Sequence, residues 1–329
     1  MTTGTVPVKR KDLLSMSDCR ERLADGVETF DTVALSGINF NVTDTDFFGS
    51  FKKKDTSLSK QAISDLLDIA RVPVTFLRKD CDNAELNKSI LDYCVKRHDA
   101  QVSIATRGDQ MTRIFPAVAN PIGALEVFDE VSHLSNEWIG AKCSVNGSTR
   151  ITLVSPHETQ AKKAGDIINS GLFVNIGSSI DIAAYLNRLI CSNGMSRTVY
   201  DREFEAMATR DMLPVIRFQG RRCLEFAQET YAHEFVGTEN ERVTNPAVMM
   251  QRMGERRGLP LKTIAALIDA VPTLPTPCSY YDVINMITAA ARDLEDAGAY
   301  NHSDRLVGLA DSITAESHAQ TCSTCHNPI

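Results

Sequence analysis

The sequence predicts an α+β fold: a mostly antiparallel, hairpin-rich central sheet with flanking helices, followed by a helical C-terminal region. Three observations predict it. Residues 100–190 alternate apolar and polar positions around turn signals. Asn146-Gly147 separates two such runs, and Asn-Gly suits a type I′ hairpin turn because both central residues need positive φ. From about residue 201 the apolar positions recur at spacings of three and four.

The elements follow in order. Residues 1–55 mix turn formers with short apolar stretches, Val33-Ala34-Leu35 and Ile38-Asn39-Phe40, which read as one or two weak strands. A helix comes next, with Ser57 or Ser59 as its N-cap and Ile63, Leu66, Leu67 and Ala70 at helical spacing, bounded by Pro73. A second helix runs from Ala84 to His98. Val102, Ile104 and Thr106 then alternate with small or polar residues, Arg107-Gly108-Asp109-Gln110 turns, and Met111 to Phe115 returns. A helix over Ile122 to Leu134 places Leu125, Phe128 and Val131 on one face. The Asn-Gly hairpin spans Glu137 to Ser155, and Gly171–Ile176 and Ile180–Ile190 continue the sheet. Phe204, Met207 and Ala208 begin the helical region, which continues through Ile216–Phe235 and Pro246–Gly258. Pro272, Pro275 and Pro277 punctuate a linker before helices at Tyr280–Ala297 and Arg305–Ile313. Three segments result: residues 1–55 with weak strands, an α+β core over 56–200, and a helical region over 201–329 with a flexible tail from about 315.

Composition narrows the classes. The chain has 329 residues, 43% of them hydrophobic and 23% charged, which excludes a wholly disordered or collagen-like chain. Its formal net charge of −7 excludes a protein that binds nucleic acid by bulk charge. The acidity is uneven: residues 1–200 hold 23 basic and 24 acidic side chains, residues 201–329 hold 12 and 18. The sheet-bearing part is therefore nearly neutral. No apolar run follows Lys9-Arg10-Lys11, so no secretory signal is expected, and no stretch approaches a membrane span. Most of the nine cysteines stand singly and read as reduced thiols in a core. A cytoplasmic location is expected, that of a bacterial host if the chain is phage-encoded.

Basic clusters are the main candidates for function. Lys52, Lys53 and Lys54 lie beside Phe47, Phe48 and Phe51, an interleaving that suits phosphates and stacked bases. Arg107, Arg113 and Lys142 are expected on one side of the sheet. Arg217, Arg221 and Arg222 fall at helical spacing, and Arg252, Arg256 and Arg257 repeat the arrangement. Each cluster also reads as ordinary solvated surface.

Catalytic signatures are missing: no Gly-x-x-x-x-Gly-Lys loop, His-Glu-x-x-His helix or Gly-x-Ser-x-Gly elbow occurs. Cys191 and His157 have no local signature that would make them nucleophile and base. The terminal residues His318, Cys322, Cys325 and His326 place two thiols and two imidazoles within nine positions. Cys-x-x-Cys-His is the spacing of c-type haem attachment, which needs an oxidising compartment. The four groups can also supply a tetrahedral zinc set. Without a second separated ligand pair they read foremost as a tail with incidental thiols, and no cofactor is expected.

Several segments together resemble a known family. They are Leu58–Ile63 leading to Arg71–Leu77, Arg107-Gly108 with Met111–Phe115, and Gly171–Val174 through Gly177–Ser179. Leu186-Asn-Arg-Leu-Ile-Cys-Ser-Asn-Gly-Met195 follows, and then Tyr281–Thr288 with Ala289–Ala291. In this order, over about residues 55–313, they resemble the phage- and plasmid-associated family called domain of unknown function 932. Phe115–Asn120 departs from the family's pattern. The resemblance implies a phage, prophage or plasmid protein, and such elements commonly encode replication and recombination proteins. A hairpin-rich sheet flanked by helices is also similar to single-strand annealing proteins of the Rad52 type, by fold analogy alone. Within the family motif, Cys191, Asn193 and Gly194 read as a strand end and turn, with Arg188 pointing opposite to Cys191. Asn285 and Thr288 share a helix face, where they satisfy buried backbone groups or contact a ligand.

The leading expectation is thus a non-enzymatic mobile-element protein of DNA metabolism. It binds single-stranded DNA, as a homo-oligomer, with an annealing or recombination role and no membrane association. Its phosphate contacts are Lys52, Lys53, Lys54, Arg107, Arg113, Arg188, Arg217 and Arg221, with Phe47 or Phe51 as stacking residues. The alternative is a phage interaction or virion-associated protein whose acidic helical region is the partner surface.

Overall fold

The computed structural model has mixed α/β content, with an antiparallel five-stranded sheet and helices flanking and following it. It describes residues 13–42, 47–51, 54–72, 84–97, 100–146, 148–160, 167–188, 196–296 and 300–321. The chain divides into two compact units that interleave in sequence. One comprises Met1–Leu153, Val174–Ile182 and Glu203–Gln219, the other Val154–Phe173, Ala183–Arg202 and Gly220–Ile329.

The first unit opens with helix α1 (Met16–Ala24), where the Ser15 side chain accepts from the Asp18 N–H. Cys19 and Leu23, one turn apart, are its buried positions. Strands β1 (Thr29–Ala34), β2 (Asn39–Val42), β3 (Phe47–Phe51) and β4 (Lys54–Leu58) precede helices α2 (Lys60–Ile69) and α3 (Ala84–Lys96). The hairpin β5 (Gln101–Arg107) and β6 (Gln110–Pro116) completes a six-stranded sheet of order β1-β5-β6-β4-β3-β2. β4 and β6 pair in parallel, Ser57 opposite Gln110 and Leu58 opposite Met111. Ser59 ties this junction to the helix behind it: its hydroxyl accepts from the Ala62 N–H at 3.0 Å and donates to the Thr112 carbonyl at 2.8 Å. Leu35, Leu66, Leu67, Leu91, Ile104, Met111 and Ile114 form the core here.

Helix α4 (Ala124–Ser132) leads to β7 (Gly140–Asn146), which with β8 (Ser148–Gln160), β9 (Ile167–Ile176), β10 (Ser179–Arg188) and β11 (Ser196–Met207) makes the five-stranded sheet, in order β11-β10-β9-β8-β7. The expected Asn-Gly hairpin is β7 and β8. The single central sheet of the sequence reading is thus two sheets, because β1 to β4 recruit the β5–β6 hairpin into a sheet of their own.

Helices follow: α5 (Leu213–Phe226), a π-helical turn (Ala227–Tyr231), α6 (Ala232–Gly237), α7 (Pro246–Arg256), α8 (Leu261–Ala270), α9 (Tyr280–Asp296) and α10 (Tyr300–Thr321). In the second unit, Met249, Met250, Met253, Ile264, Leu267, Tyr281, Ile284, Ile287, Leu309 and Ile313 build the core. Three expectations need correction. Residues 201–207 are strand: Ala206 and Ala208 are buried while Met207 between them is exposed, a period of two. Residues 16–24 are helical, although the sequence reading has only weak strands over 1–55. Finally, α10 continues well past the helix end expected at Ile313.

Candidate nucleic-acid interface

The sequence-predicted phosphate contacts meet different fates. Lys52 and Lys53 lie outside the described residues; Lys54 begins β4, while Phe47 and Phe51 open and close β3. Arg113 requires a correction. It is 1% exposed, buried in the first unit, where no surface phosphate reaches it. Its Nη2 donates to Glu28 Oε2 at 2.7 Å and its Nη1 to the Gly177 carbonyl at 2.7 Å. The Phe30 and Phe115 rings cover its guanidinium, with centroids 5.8 and 5.4 Å away. Thr112 Oγ1 donates to the same carboxylate at 2.7 Å. The long, hydrophilic Arg113 is interior because Glu28, backbone carbonyls and ring faces satisfy it there.

Arg107 is drawn toward the same carboxylate. Its Nε donates to the Gly26 carbonyl at 2.7 Å and its Nη2 lies 4.0 Å from Glu28 Oε1. Burial lowers its pKa. Lys142 belongs to β7 of the other sheet, so Arg107, Arg113 and Lys142 do not line one sheet face. Arg188 ends β10, and Cys191, Asn193 and Gly194 lie outside the described residues. In α9, Thr288 Oγ1 donates to the Ile284 carbonyl at 2.9 Å and to the Asn285 carbonyl at 3.2 Å, the back-bonding of a helix-interior threonine. His318 falls in α10, and Cys322, Cys325 and His326 lie outside the described residues. Among the described residues no cluster of His, Cys, Asp and Glu is arranged to hold a metal.

Three arginines are occupied by a single helix. On α4, Asp129 receives both Arg20 Nε and Nη2, at 2.7 and 2.9 Å, and Glu126 receives Arg210 Nε at 2.6 Å. Glu130 receives Arg217 Nε. These hydrogen bonds raise the pKa of each guanidinium. Arg217 is therefore solvent-exposed but already matched to a carboxylate, whereas Arg221 is exposed on the same helix.

An open basic surface lies in the second unit, at the turn between α7 and α8. Buried Met249, Met250, Met253 and Gly254 face the core from α7, so the opposite side carries Val248, Arg252 and Arg256 at intervals of four. Arg257 caps the helix and Gly258, at φ +63°, turns the chain. Pro260 then starts α8, followed by exposed Leu261 and Lys262. Arg256, Arg257 and Lys262 have no carboxylate within 4.0 Å among the described residues. The first turn of α8 has no side-chain cap, and the Pro260 carbonyl takes the N–H groups of Thr263 and Ile264, at 2.8 and 3.1 Å. The preceding N–H groups point outward with the positive end of the helix dipole. Four cations, one interspersed carboxylate (Glu255) and a helix N-terminus thus share one exposed hairpin.

Arg252, Arg256 and Arg257 stand out as a cluster in the sequence, but Lys262, its fourth member, belongs to α8, which was not expected there. The signal was present: after Pro260, Ile264, Leu267, Ile268 and Val271 recur at helical spacing.

In comparison with known proteins, the chain matches no family model, no curated protein and no solved structure.

Proposed function

We propose that this chain is a non-enzymatic nucleic-acid-binding protein of a phage or plasmid, and that it binds single-stranded DNA through the α7–α8 hairpin. The observation that carries the reading is the exposed, unneutralised set Arg256, Arg257 and Lys262 beside the uncapped start of α8. Cations and outward-pointing N–H groups recognise the phosphate backbone without regard to sequence. Exposed Val248 and Leu261 flank the set and offer apolar surface to splayed bases. The phage or plasmid origin rests on the resemblance carried by Leu186–Met195 and the other motif segments, and the narrower role in annealing or recombination on the fold analogy alone. Self-association along the strand belongs to the same reading.

Fluorescence anisotropy with a labelled single-stranded oligonucleotide tests it. The wild-type chain is expected to bind at low salt and to weaken as salt rises, through counterion release. R256E/R257E/K262E is expected to lose more than about tenfold in affinity, the scale of several lost phosphate contacts. Absence of wild-type binding at low salt refutes the proposal.

A second reading, an interaction protein, is favoured by one observation: helical-region side chains Leu261, Phe218 and Val248 are 78%, 63% and 57% exposed. It predicts a stable oligomer in the absence of nucleic acid, read by size-exclusion chromatography with light scattering.

A further inference from the structure

Helix α1 and strand β7 are more than 100 residues apart in the chain, yet they are fastened side by side in the first unit. Leu14 and Ala141 form an isolated antiparallel bridge, with the Leu14 N–H donating to Ala141 O at 2.8 Å and the Ala141 N–H to Leu14 O at 2.9 Å. The approach needs glycine next door: a Cβ on Gly140 would lie 2.8 Å from the Leu14 carbonyl oxygen. Cys143 stands two residues beyond Ala141, on the same side of the strand. Cys19 stands on the buried face of α1, in the second turn after the Ser15 cap. The two thiols meet and share a hydrogen bond. Both are buried and free.

We propose that Cys19 and Cys143 are a redox-active pair, closing a reversible disulfide that fastens α1 to the edge strand β7 in response to a hydroperoxide. The Cys143 thiolate attacks the peroxide and becomes a sulfenic acid, releasing hydroxide from hydrogen peroxide. The Cys19 thiol then displaces the sulfenic oxygen, forming the S–S bond and releasing water. Overall two thiols and one hydrogen peroxide give one disulfide and two waters, and a dithiol reductant reverses the step.

The electrostatics suit this division of labour. The hydrogen bond from Cys19 lowers Cys143 to about 7, with the Arg22 charge helping against desolvation, while the same interaction and burial push Cys19 up. Access comes from the helix itself. α1 has nine residues, too few to persist alone, and buries only Cys19 and Leu23 along its length. Local opening of α1 exposes the pair, and the disulfide locks it shut.

The test uses the full reduced chain treated with hydrogen peroxide, alkylated and digested with trypsin without reduction. Cys19 and Cys143 fall in tryptic peptides 12–20 and 143–150, each with no other cysteine. The expected product is the cross-linked pair of these peptides, lost on dithiothreitol treatment. A rise of roughly 5–10 °C in melting temperature should accompany it. C19S and C143S are each expected to abolish this product and the thermal shift. Because the primary readout is on the wild-type chain, it stands even if a serine variant folds poorly. Recovery of both peptides as separate alkylated species while other thiols of the chain oxidise overturns the proposal. So does linkage of either cysteine to a different partner.

Discussion

Glu28 and Arg113 form an ion pair sealed in the first unit, Oε2 to Nη2 at 2.7 Å, with side chains 2% and 1% exposed. Such a pair offsets its own desolvation only while both partners and their hydrogen bonds are present. Glu28→Ala leaves the guanidinium without its counter-charge and Thr112 Oγ1 without its carboxylate acceptor. The expected loss is about 3–5 kcal/mol, the cost of an uncompensated buried charge. Combining it with Arg113→Met should recover part of that loss, since no charge then remains inside. Urea unfolding of Glu28→Ala, Arg113→Met and the double variant checks both statements, and additive losses would show that the two side chains act independently.

Asp65 predicts a dependence on pH. Its carboxylate accepts from Gln61 Nε2 at 2.7 Å and from the Ile114 N–H at 3.0 Å. Burial outweighs these bonds and raises its pKa from 3.8 to about 6. The folded carboxyl therefore holds its proton more tightly than the unfolded one. Its contribution to stability is complete below the unfolded value and is lost as pH rises through about 6. The expected decline is roughly 2–3 kcal/mol at most, from the free-energy equivalent of the shift. Asp65→Asn, with Gln61 turned to present its oxygen, should flatten this limb. Thermal melts of wild type and variant between pH 4 and 7, read as a difference, measure it.

The sequence shows much of the fold and little of the site, for identifiable reasons. The hairpins around Gly108 and Asn146-Gly147 and the Ser59-capped helix are local: turn chemistry, caps and periodicity sit within a few residues. α1 escaped because only Cys19 and Leu23 mark its buried face. β11 escaped because Phe204, Met207 and Ala208 fit a helical spacing, whereas pairing in the sheet imposes a period of two. Arg113 is the instructive residue. Its sequence neighbours suggest a surface cation on a strand, whereas partners distant in sequence, Glu28 at 85 residues and the Gly177 carbonyl at 64, make an interior position tolerable. Ion pairs between distant segments leave no local pattern, so neither Arg113 nor the arginines held by α4 were legible as neutralised.

Gly254 sets how closely α7 and α8 approach. A Cβ there would meet Ile264 Cγ1 at 2.9 Å and Cδ1 at 3.1 Å. Gly254→Val should cost roughly 1–3 kcal/mol, the usual range for overpacking a filled core. Adding Ile264→Ala makes room and should restore part of the loss. Chemical denaturation of the single and double variants tests the contact. The single variant should also weaken oligonucleotide binding, because Lys262 and Arg256 ride on the two helices it separates.

The pairing of α4 with Arg20, Arg210 and Arg217 bears on the proposed binding of nucleic acid. Asp129→Asn with Glu130→Gln removes two negative charges and releases Arg20 and Arg217, both solvent-exposed. Exposed pairs of this kind add little to folding, so the variant should melt close to the wild type. If the α4 surface of the first unit itself takes up single-stranded DNA, the freed guanidiniums add phosphate contacts there. The plot of log affinity against log salt then steepens by about 0.7 for each new contact to a single strand. If the hairpin alone holds the strand, the slope stays that of the wild type, while R256E/R257E/K262E flattens it. The two variants, titrated at the same series of salt concentrations, therefore test each surface separately. A slope that responds to the α4 variant and ignores the hairpin variant would move the interface to the first unit.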